Sequence, residues 1–153
     1  MCRTFAQAGQ AGWSHIVPAP ILADLSASEG WHPANGADVL VAEVDGNPQG
    51  FAVICVSQDA DATGEVGEID AFYTHPSVWG SGVGRALMSA AVKRLGELGF
   101  QEATLWTEHR NFRPRRFYEL AGWKPDGAER RREWRDLDLL EVRLRRSVQP
   151  SSP

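Results

Sequence analysis

The sequence predicts a single domain of the mixed α/β (α+β) class, and three observations carry that prediction. The 153 residues suffice for one compact domain. Strand and helix patterns follow one another in the order strand, strand, strand, helix, strand, helix, strand. The first two strands form an antiparallel hairpin, whereas the central strand–helix–strand unit predicts a parallel pair.

Residues 1–35 carry only a weak pattern. Pro18 and Pro20 follow a stretch rich in Ala, Gly and Gln, so any helix here is expected to be weak or broken. Ile21–Leu25 allows a short helical turn. We therefore expect the core to occupy residues 36–148 and residues 149–153 to form a frayed tail.

Three strands are predicted in the first half of the core: Val39–Val44, Gly50–Val56 and Glu68–Thr74. The turn Asp45–Pro48 joins the first two into a hairpin. Gln58–Gly67, with its acidic residues and glycines, predicts a loop. His75 and Pro76 end the third strand.

A glycine-rich segment, residues 80–84, leads into an amphipathic helix of about four turns. Its apolar residues recur at helical spacing: Leu87, Ala91, Leu95 and Leu98. Gly99 stands where a left-handed residue would end the helix.

The remaining core is predicted from three further patterns. Ala103–Thr107 is a fourth strand, and Pro114 suits the first turn of a short helix that Gly122 ends. The inner face of that helix is predicted to comprise Phe117, Leu120 and Ala121. After a loop at 124–138, a half-buried strand starts at Leu139. Its two predicted faces are Leu140, Val142 and Leu144 on one side and Glu141, Arg143 and Arg145 on the other.

Charge divides the chain into two halves. Residues 1–84 carry one basic and ten acidic residues, whereas residues 85–153 carry fifteen basic and ten acidic ones. The formal net charge of −4 disfavours nucleic acid as the main partner. The division fits a protein with two ligands of opposite sign, or merely a solvated surface.

Composition also excludes several classes of protein. No run of about 18 apolar residues is present to span a bilayer, and the N-terminus lacks a secretory pattern. Cys2 and Cys55 make neither a disulfide framework nor, with the four histidines, a metal site. Cys55 lies in an apolar run and is an unpromising nucleophile. We expect a cytoplasmic protein with no membrane segment and no metal.

The segment Gly80–Gly84 lies between a strand and a helix start and predicts an anion site. Glycines let backbone N–H groups approach an anion, and the helix N-terminus adds partial positive charge. A Walker A loop would need a lysine, and in a dinucleotide fingerprint the sixth position would be glycine, where Arg85 stands. A tight turn without a ligand is an equal alternative for the loop alone.

Together with a second block, this loop resembles the GNAT N-acetyltransferase superfamily over about residues 36–145. The acetyl-CoA pyrophosphate loop of that family, Gln/Arg-x-x-Gly-x-Gly/Ala, is similar to Trp79–Gly84. The second block is similar to Asn111, Phe117-Tyr118 and Gly122-Trp123. Trp79 departs from the family pattern, which removes one charged or amide contact to the pyrophosphate.

The resemblance implies a largely antiparallel sheet with helices on both faces, acetyl-CoA as donor, and a small-molecule or peptide amine as acceptor. Homodimers are frequent in similar proteins. The usual first strand of the family is missing here, so either the sheet lacks that edge or the true start lies upstream. We expect direct transfer in a ternary complex. A non-catalytic CoA-binding module is the alternative, and a nucleotide phosphate binder is disfavoured by the loop spacing.

The resemblance also implies roles for residues of the third strand, where alternation places Glu68, Asp70, Phe72 and Thr74 on one face. Glu68 is the candidate base, directly or through water, and Asp70 a second catalytic candidate; alternatively both only attract a cation. A bulge in this strand would change which residues face inward. Backbone N–H groups around Phe72–Thr74 are implied to form an oxyanion hole and to bind pantetheine.

Tyr118 is the candidate general acid for the departing thiolate, with aromatic packing as the alternative. Asn111 is expected to bind the cofactor or to cap the following helix. The implied cofactor-binding residues are Phe72, Tyr73, Thr74, Trp79, Gly80, Ser81, Gly82, Val83, Gly84, Arg85, Asn111 and Tyr118. Arg110, Arg113, Arg115 and Arg116 are weaker candidates for the CoA phosphates.

The acceptor itself is the least determined part of the prediction. The acidic N-terminal half favours a cationic amine. Specificity is expected in residues 1–35 and in the predicted loop at 124–138. Trp31 and Trp79 fall in loops where an acceptor or cofactor could touch them.

Overall fold

The computed structural model describes residues 11–20, 33 and 35–149 of the chain. The strands and helices after residue 37 are β1 Asp38–Val44, β2 Asn47–Val56, β3 Val66–Thr74, α1 Val83–Glu97, β4 Glu102–Glu108, α2 Phe112–Leu120, β5 Lys124–Trp134 and β6 Leu137–Ser147. The predicted turn at Ile21–Leu25, the loop residue Trp31 and residues 150–153 of the predicted tail lie outside the described residues.

The six strands form one sheet in the order β1-β2-β3-β4-β6-β5. Four of the five neighbouring pairs are antiparallel, and β3 and β4, which α1 connects, are parallel. The predicted fold class, a mixed and largely antiparallel sheet with helices, is therefore confirmed.

The main core lies between this sheet and the helices. Leu87, Ala91 and Leu95 of α1 are buried as predicted, and Met88 joins them. Leu98, which the pattern also placed inside, is exposed because α1 ends at Glu97. Gly99 follows with a φ of 93°, as expected for a left-handed helix end.

The inner face of α2 differs from the prediction. The helix starts at Phe112, two residues before Pro114, and it turns Tyr118 into the core while Leu120 is 73% exposed. Phe117 stays half-buried and stacks on Phe72, with ring centroids 5.5 Å apart. The prediction that Leu120 lies inside is wrong, because a helix rotates by about 100° per residue, which places Leu120, two residues on, nearly opposite Tyr118.

The loop predicted at 124–138 is also wrong. Lys124–Trp134 forms the edge strand β5, and Arg135 and Asp136, with φ of 48° and 61°, make the tight turn to β6. Positive φ at both central residues is typical of a hairpin turn. The strand carries few apolar residues because an edge strand is stabilised by its ladder and tolerates charge.

Strand β6 buries charges that alternation placed on its polar face. Arg143 is 5% exposed and contacts the carboxylates of Asp59 at 3.0 Å, Asp61 at 2.7 Å and Asp126 at 2.8 Å. Glu141 is 4% exposed. A charge can be buried when ion pairs and hydrogen bonds replace its water, and other strands and loops supply these partners.

Candidate active site

Strands β3 and β4 separate after a short contact. They pair at three positions only, Val66 with Glu102, Gly67 with Ala103 and Glu68 with Thr104. Beyond these positions β3 pairs on its far side with β2, and β4 with β6. The facing strand edges therefore leave backbone N–H and C=O groups open to a cavity of about 940 Å³.

A β-bulge interrupts β3 at this separation. On the β2 side, Val53 pairs with Ala71 and Ile54 pairs with Ile69, so that Asp70 is the extra residue. An extra residue shifts the alternation of all side chains that follow it. The bulge thus decides which residues of β3 share a face.

As a consequence, the residues of β3 that the sequence placed on one face lie on both sides of the sheet. Phe72 packs into the core together with α1, whereas Tyr73 packs with Phe51 on the opposite side of the sheet. Glu68 lies beside its cross-strand partner Cys55 on that opposite side. The expectation of one common face is therefore wrong for the set Glu68, Asp70, Phe72 and Thr74.

Glu68 lies where the two strands part and lines the cavity. It is 8% exposed, and its Oε2 accepts a hydrogen bond from the Gln58 N–H at 3.3 Å. Burial raises the pKa of the Glu68 carboxyl, although the Gln58 hydrogen bond opposes the shift. A raised pKa makes a carboxylate a stronger proton acceptor.

Asp70 reaches the same cavity from the bulge, and its side chain is exposed there. Partial loss of hydration raises the pKa of the Asp70 carboxyl, while Arg130 and Arg132 act in the opposite direction. An accessible carboxylate in this place can attract a cation.

Tyr118 sits in an aromatic cluster at the cavity. Its ring centroid lies 6.2 Å from that of Phe72 and 5.6 Å from that of Phe117. Burial raises the pKa of the Tyr118 hydroxyl above its ordinary value, and raises that of Tyr73 to about 12. The Tyr118 phenol is therefore protonated at neutral pH and able to donate.

The glycine loop joins β3 to α1. Gly80 and Gly82 have φ of 78° and 94°, which favour glycine, and a Cβ on either would meet no atom within 4 Å. Gly82 is the N-cap and provides no side-chain cap. The Val83 N–H donates weakly to Ser81 Oγ at 3.5 Å, so the N–H groups of Gly84 and Arg85 are the ones of the first turn that are open to an anion. The loop residues that line the cavity are Gly80, Gly82, Gly84 and Arg85. The Ser81 hydroxyl instead donates to the Val78 carbonyl oxygen at 2.6 Å.

Trp79 holds a cation at this loop. Its Nε1–H donates to the Thr74 carbonyl oxygen at 3.1 Å, and the guanidinium carbon of Arg113 lies 3.9 Å from its ring centroid. Both side chains line the cavity. The charge that the sequence lacks at position 79 thus reaches the loop from α2.

Asn111 precedes α2 and is 3% exposed. It occupies the N-cap position of α2, as the cap alternative expected, but its side chain forms no capping hydrogen bond. Among the described residues its buried Oδ1 has no hydrogen-bond partner, and Asn111 is one of the residues that line the cavity. A buried unpaired oxygen costs about 1–3 kcal/mol, which a donor from a bound ligand would recover.

Other candidates from the sequence have partners inside the protein. Arg110 Nε lies 2.9 Å from Glu108 Oε1, and Arg115 Nη1 donates to the His109 carbonyl oxygen at 2.7 Å. His75 Nδ1 accepts from the Ser77 N–H and caps the 3₁₀ turn Pro76–Val78. His75 thus lies in the turn that ends β3, where the sequence predicts the end of that strand.

Burial raises the pKa of the Cys55 thiol to about 12, which leaves almost no thiolate to act as a nucleophile. The described residues hold no group of three or more side chains suited to a metal ion. In the same part of the chain, no helix has the length and apolar character to cross a membrane.

Strand β5 supplies cavity residues that the sequence analysis missed. Arg130, Arg132 and Trp134 alternate along it and line the cavity. Arg130 Nε lies 2.6 Å and Arg132 Nη2 lies 3.1 Å from the Glu141 carboxylate. Trp13 packs edge-on against Trp134 at 6.0 Å. The alternation is present in the sequence, but because two of its three members are charged, it lacks the alternating apolar residues by which a strand is usually recognised.

Comparison of the sequence with known proteins identifies a family whose model matches most of the chain. A model described as the acetyltransferase (GNAT) family matches residues 10–123. An uncharacterized N-acetyltransferase of Archaeoglobus fulgidus is 38% identical over 82 residues, 52% of this chain and 55% of that protein. A mycothiol acetyltransferase of Sanguibacter keddieii is 39% identical over 104 residues, 65% of this chain and 32% of that protein. The chain thus spans about half or less of the length of these relatives.

A solved structure shares the fold. It is a Salmonella typhimurium protein, provisionally assigned as an acetyltransferase and solved with its cofactor acetyl-CoA, with a TM-score of 0.66. The two chains are 20% identical, and the match covers 99% of this chain and 91% of that one. At this level of identity the likeness concerns the fold.

Proposed function

The chain belongs to the acetyltransferase (GNAT) family, and from that membership we propose that it transfers the acetyl group of acetyl-CoA directly to an amine. The amine belongs to a small molecule or a peptide. One continuous cavity contains both the glycine loop and the carboxylates of β3, which supports a ternary complex. Cys55 is buried and protonated, so an acyl-enzyme on its thiol receives no support.

The described residues fit a coenzyme A thioester, which when bound supplies the acetyl group. The loop amides at Gly80 and Gly82 and the first turn of α1 would hold the pyrophosphate. The Arg113 guanidinium on Trp79 adds positive charge there. The open edge of β3 and the unpaired Oδ1 of Asn111 offer partners for the amides of the pantetheine arm.

The acceptor must lose a proton before it can attack. An alkylammonium with a pKa of about 10.4 is neutral in roughly one molecule per thousand near pH 7. In this proposal Glu68 removes that proton, directly or through a water molecule, because its raised pKa makes it the better acceptor. Asp70 attracts the ammonium group to the cavity.

Two further groups of the chain complete the transfer. Backbone N–H groups of Phe72–Thr74, on the open side of β3, stabilise the negative charge that develops on the carbonyl oxygen. Tyr118 delivers its phenolic proton to the departing sulfur.

The observation that carries this proposal is the separation of β3 from β4 beyond Glu68, because it opens the cavity beside a buried carboxyl and the loop. The test combines calorimetry with CoA and a thiol-release assay with acetyl-CoA over a broad amine library. We expect CoA to bind and thiol release to depend on the amine. No heat with CoA would overturn the proposal, and CoA binding without acetylation of any amine would indicate a CoA-binding module of the same fold.

Replacing Arg113 with alanine is expected to weaken CoA binding about tenfold, since a hydrogen bond to a charged group contributes about 1.5–3 kcal/mol. Calorimetry measures this change. Arg116→Ala on the same helix is the matched control, because Arg116 is exposed and lies outside the cavity lining. Equal CoA affinity for Arg113→Ala and the unchanged protein would show that the Trp79 contact only packs the surface.

Replacing Tyr118 with phenylalanine is expected to lower kcat about tenfold while the Kd of CoA stays the same, because the ring still packs and only the proton donor is lost. Steady-state assays of thiol release measure kcat, and calorimetry measures the Kd of CoA. A loss of CoA affinity equal to the loss of kcat would show that Tyr118 acts through packing.

A further inference from the structure

The cavity has walls of opposite charge. Glu68 and Asp70 face it from β3, and Arg130 and Arg132 face it from β5. Arg131, between the two arginines, lies outside the lining and pairs with Asp138 at the surface. The basic half of the sequence therefore reaches the acceptor end of the cavity as well as the loop.

Two guanidinium groups share one buried carboxylate at this wall. Arg130 and Arg132 both contact Glu141, whose side chain is 6% exposed. Glu141 neutralises one of the two positive charges and leaves the other. No ion pair joins Asp70 to either arginine within the described residues, although its carboxyl responds to both charges.

The arginines also keep open hydrogen-bond donors. Their side chains are 41% and 46% exposed at the cavity, and a guanidinium has several N–H groups in a planar fork. Their contacts with Glu141 involve Nε of Arg130 and Nη2 of Arg132. The remaining donors can bind a second carboxylate.

Neighbouring side chains hold this wall in place. The guanidinium carbon of Arg130 lies 4.3 Å from the Trp106 ring centroid, and Arg130 faces Glu141 across the strand pair. The Trp13–Trp134 contact packs at the end of the same strand. Groups held in this way lose little freedom when a ligand binds.

We propose that the acceptor is an amine that also bears a carboxylate. Its ammonium group lies toward Glu68 and Asp70, and its carboxylate binds the Arg130–Arg132 wall through charge-assisted hydrogen bonds. The inference rests on the proposed acetyl transfer and refines the cationic acceptor that the acidic N-terminal half favoured. An acceptor with positive charge alone would meet the unneutralised arginine.

The test compares matched acceptors. We would measure kcat/KM for the proteinogenic L-amino acids, β-alanine and γ-aminobutyrate, each beside its carboxamide and its decarboxylated amine. For at least one set the carboxylate form is expected to exceed both partners by about tenfold or more, the range for hydrogen bonds to a charged group. The inference would be overturned if, in every set, the carboxamide and the decarboxylated amine had the same kcat/KM as the carboxylate.

Two neighbouring arginines provide the variants. Arg132→Gln is expected to reduce the preference for the carboxylate form to within about threefold, since one charged donor is lost. Arg131→Gln, which changes the same charge outside the cavity, is expected to leave the preference intact. The Kd of CoA and the melting temperature report whether the Arg132→Gln variant folds. If one arginine can replace the other, the double variant with Arg130→Gln and Arg132→Gln repeats the test.

Binding separates this inference from the proposed function. Calorimetry of the same compounds with the CoA-loaded protein needs no turnover. Carboxylates that bind in an Arg132-dependent way without being acetylated would contradict the acetyl transfer and support the carboxylate site. Carboxamides acetylated as well as carboxylates would support the transfer and refute the site.

Discussion

Replacing Glu68 with glutamine is expected to lower kcat about 100- to 1000-fold near neutral pH, the usual contribution of a positioned base. Glutamine keeps the size of the side chain but cannot accept a proton. The Kd of CoA should be unchanged, because Glu68 lies away from the glycine loop. Steady-state thiol release and calorimetry measure the two effects.

The pH dependence tests the same role. Burial raises the pKa of Glu68 above the ordinary 4.5, so kcat of the unchanged protein should fall as the pH drops through that raised value. Glu68→Gln should lack this acidic limb. Glu65→Gln, at an exposed position just before β3, is the control and should keep both the rate and the limb. A Glu68→Gln variant with more than half of the original kcat would refute the base.

Stability separates catalysis from folding. A carboxyl whose pKa is higher in the folded than in the unfolded state favours the fold below its unfolded pKa, and that contribution disappears as the pH rises through the folded pKa. Above the raised folded pKa, the ionised Glu68 therefore opposes folding. Glu68→Gln is accordingly expected to unfold at the same or a higher urea concentration than the unchanged protein at pH 7.

The second large effect concerns Arg143. Arg143→Met is expected to lower the free energy of unfolding by about 3–5 kcal/mol, the usual result of removing one partner from a buried ion pair. The change leaves Asp59, which is 12% exposed, without a cation, and leaves Asp126, which is 16% exposed, with Arg145 as its remaining partner. Urea denaturation followed by circular dichroism measures the loss.

A surface arginine provides the control. Arg131 and Asp138 are 68% and 63% exposed, so Arg131→Met should cost less than about 1 kcal/mol. Equal costs for Arg131→Met and Arg143→Met would contradict the buried network. If Arg143→Met is too unstable to purify, Asp126→Asn removes one arm of the network and is expected to give a smaller loss of the same sign.

Acid unfolding should report this network as well. The hydrogen bond from Arg143 lowers the pKa of Asp61 to about 2, from 3.8. A depressed folded pKa contributes stability above the unfolded value, and this stability is lost as the pH falls from about 3.8 toward 2. Arg143→Met should remove the Asp61 contribution within that window.

Sequence patterns predicted the elements whose causes are local. The apolar spacing of α1 and the left-handed Gly99 at its end depend on residues within a few positions of each other, and the glycine loop depends on the same short range. These preferences act before distant parts of the chain meet. The β1–β2 hairpin was predicted for the same reason.

The predictions that were wrong concern contacts between distant residues. Edge strand β5 is stabilised by its ladder with β6, which compensates for its lack of apolar alternation. The buried charges of Arg143 and Glu141 require carboxylates and guanidiniums from other strands and loops. Pro114 lies in the first turn of α2 as predicted, but which side of that helix faces the core, and hence the burial of Tyr118, depends on its packing against the sheet.

By itself, the sequence determined the order of strands and helices apart from β5, the glycine-rich connection from β3 to α1, and the resemblance that led to acetyl-CoA. Only the tertiary structure decided that Asp70 forms a bulge, that Arg113 covers Trp79, and that Arg130 and Arg132 line the same cavity as the carboxylates of β3. The physical reason is that local preference arises along the chain, whereas the burial of a charge depends on the partner that folding brings to it.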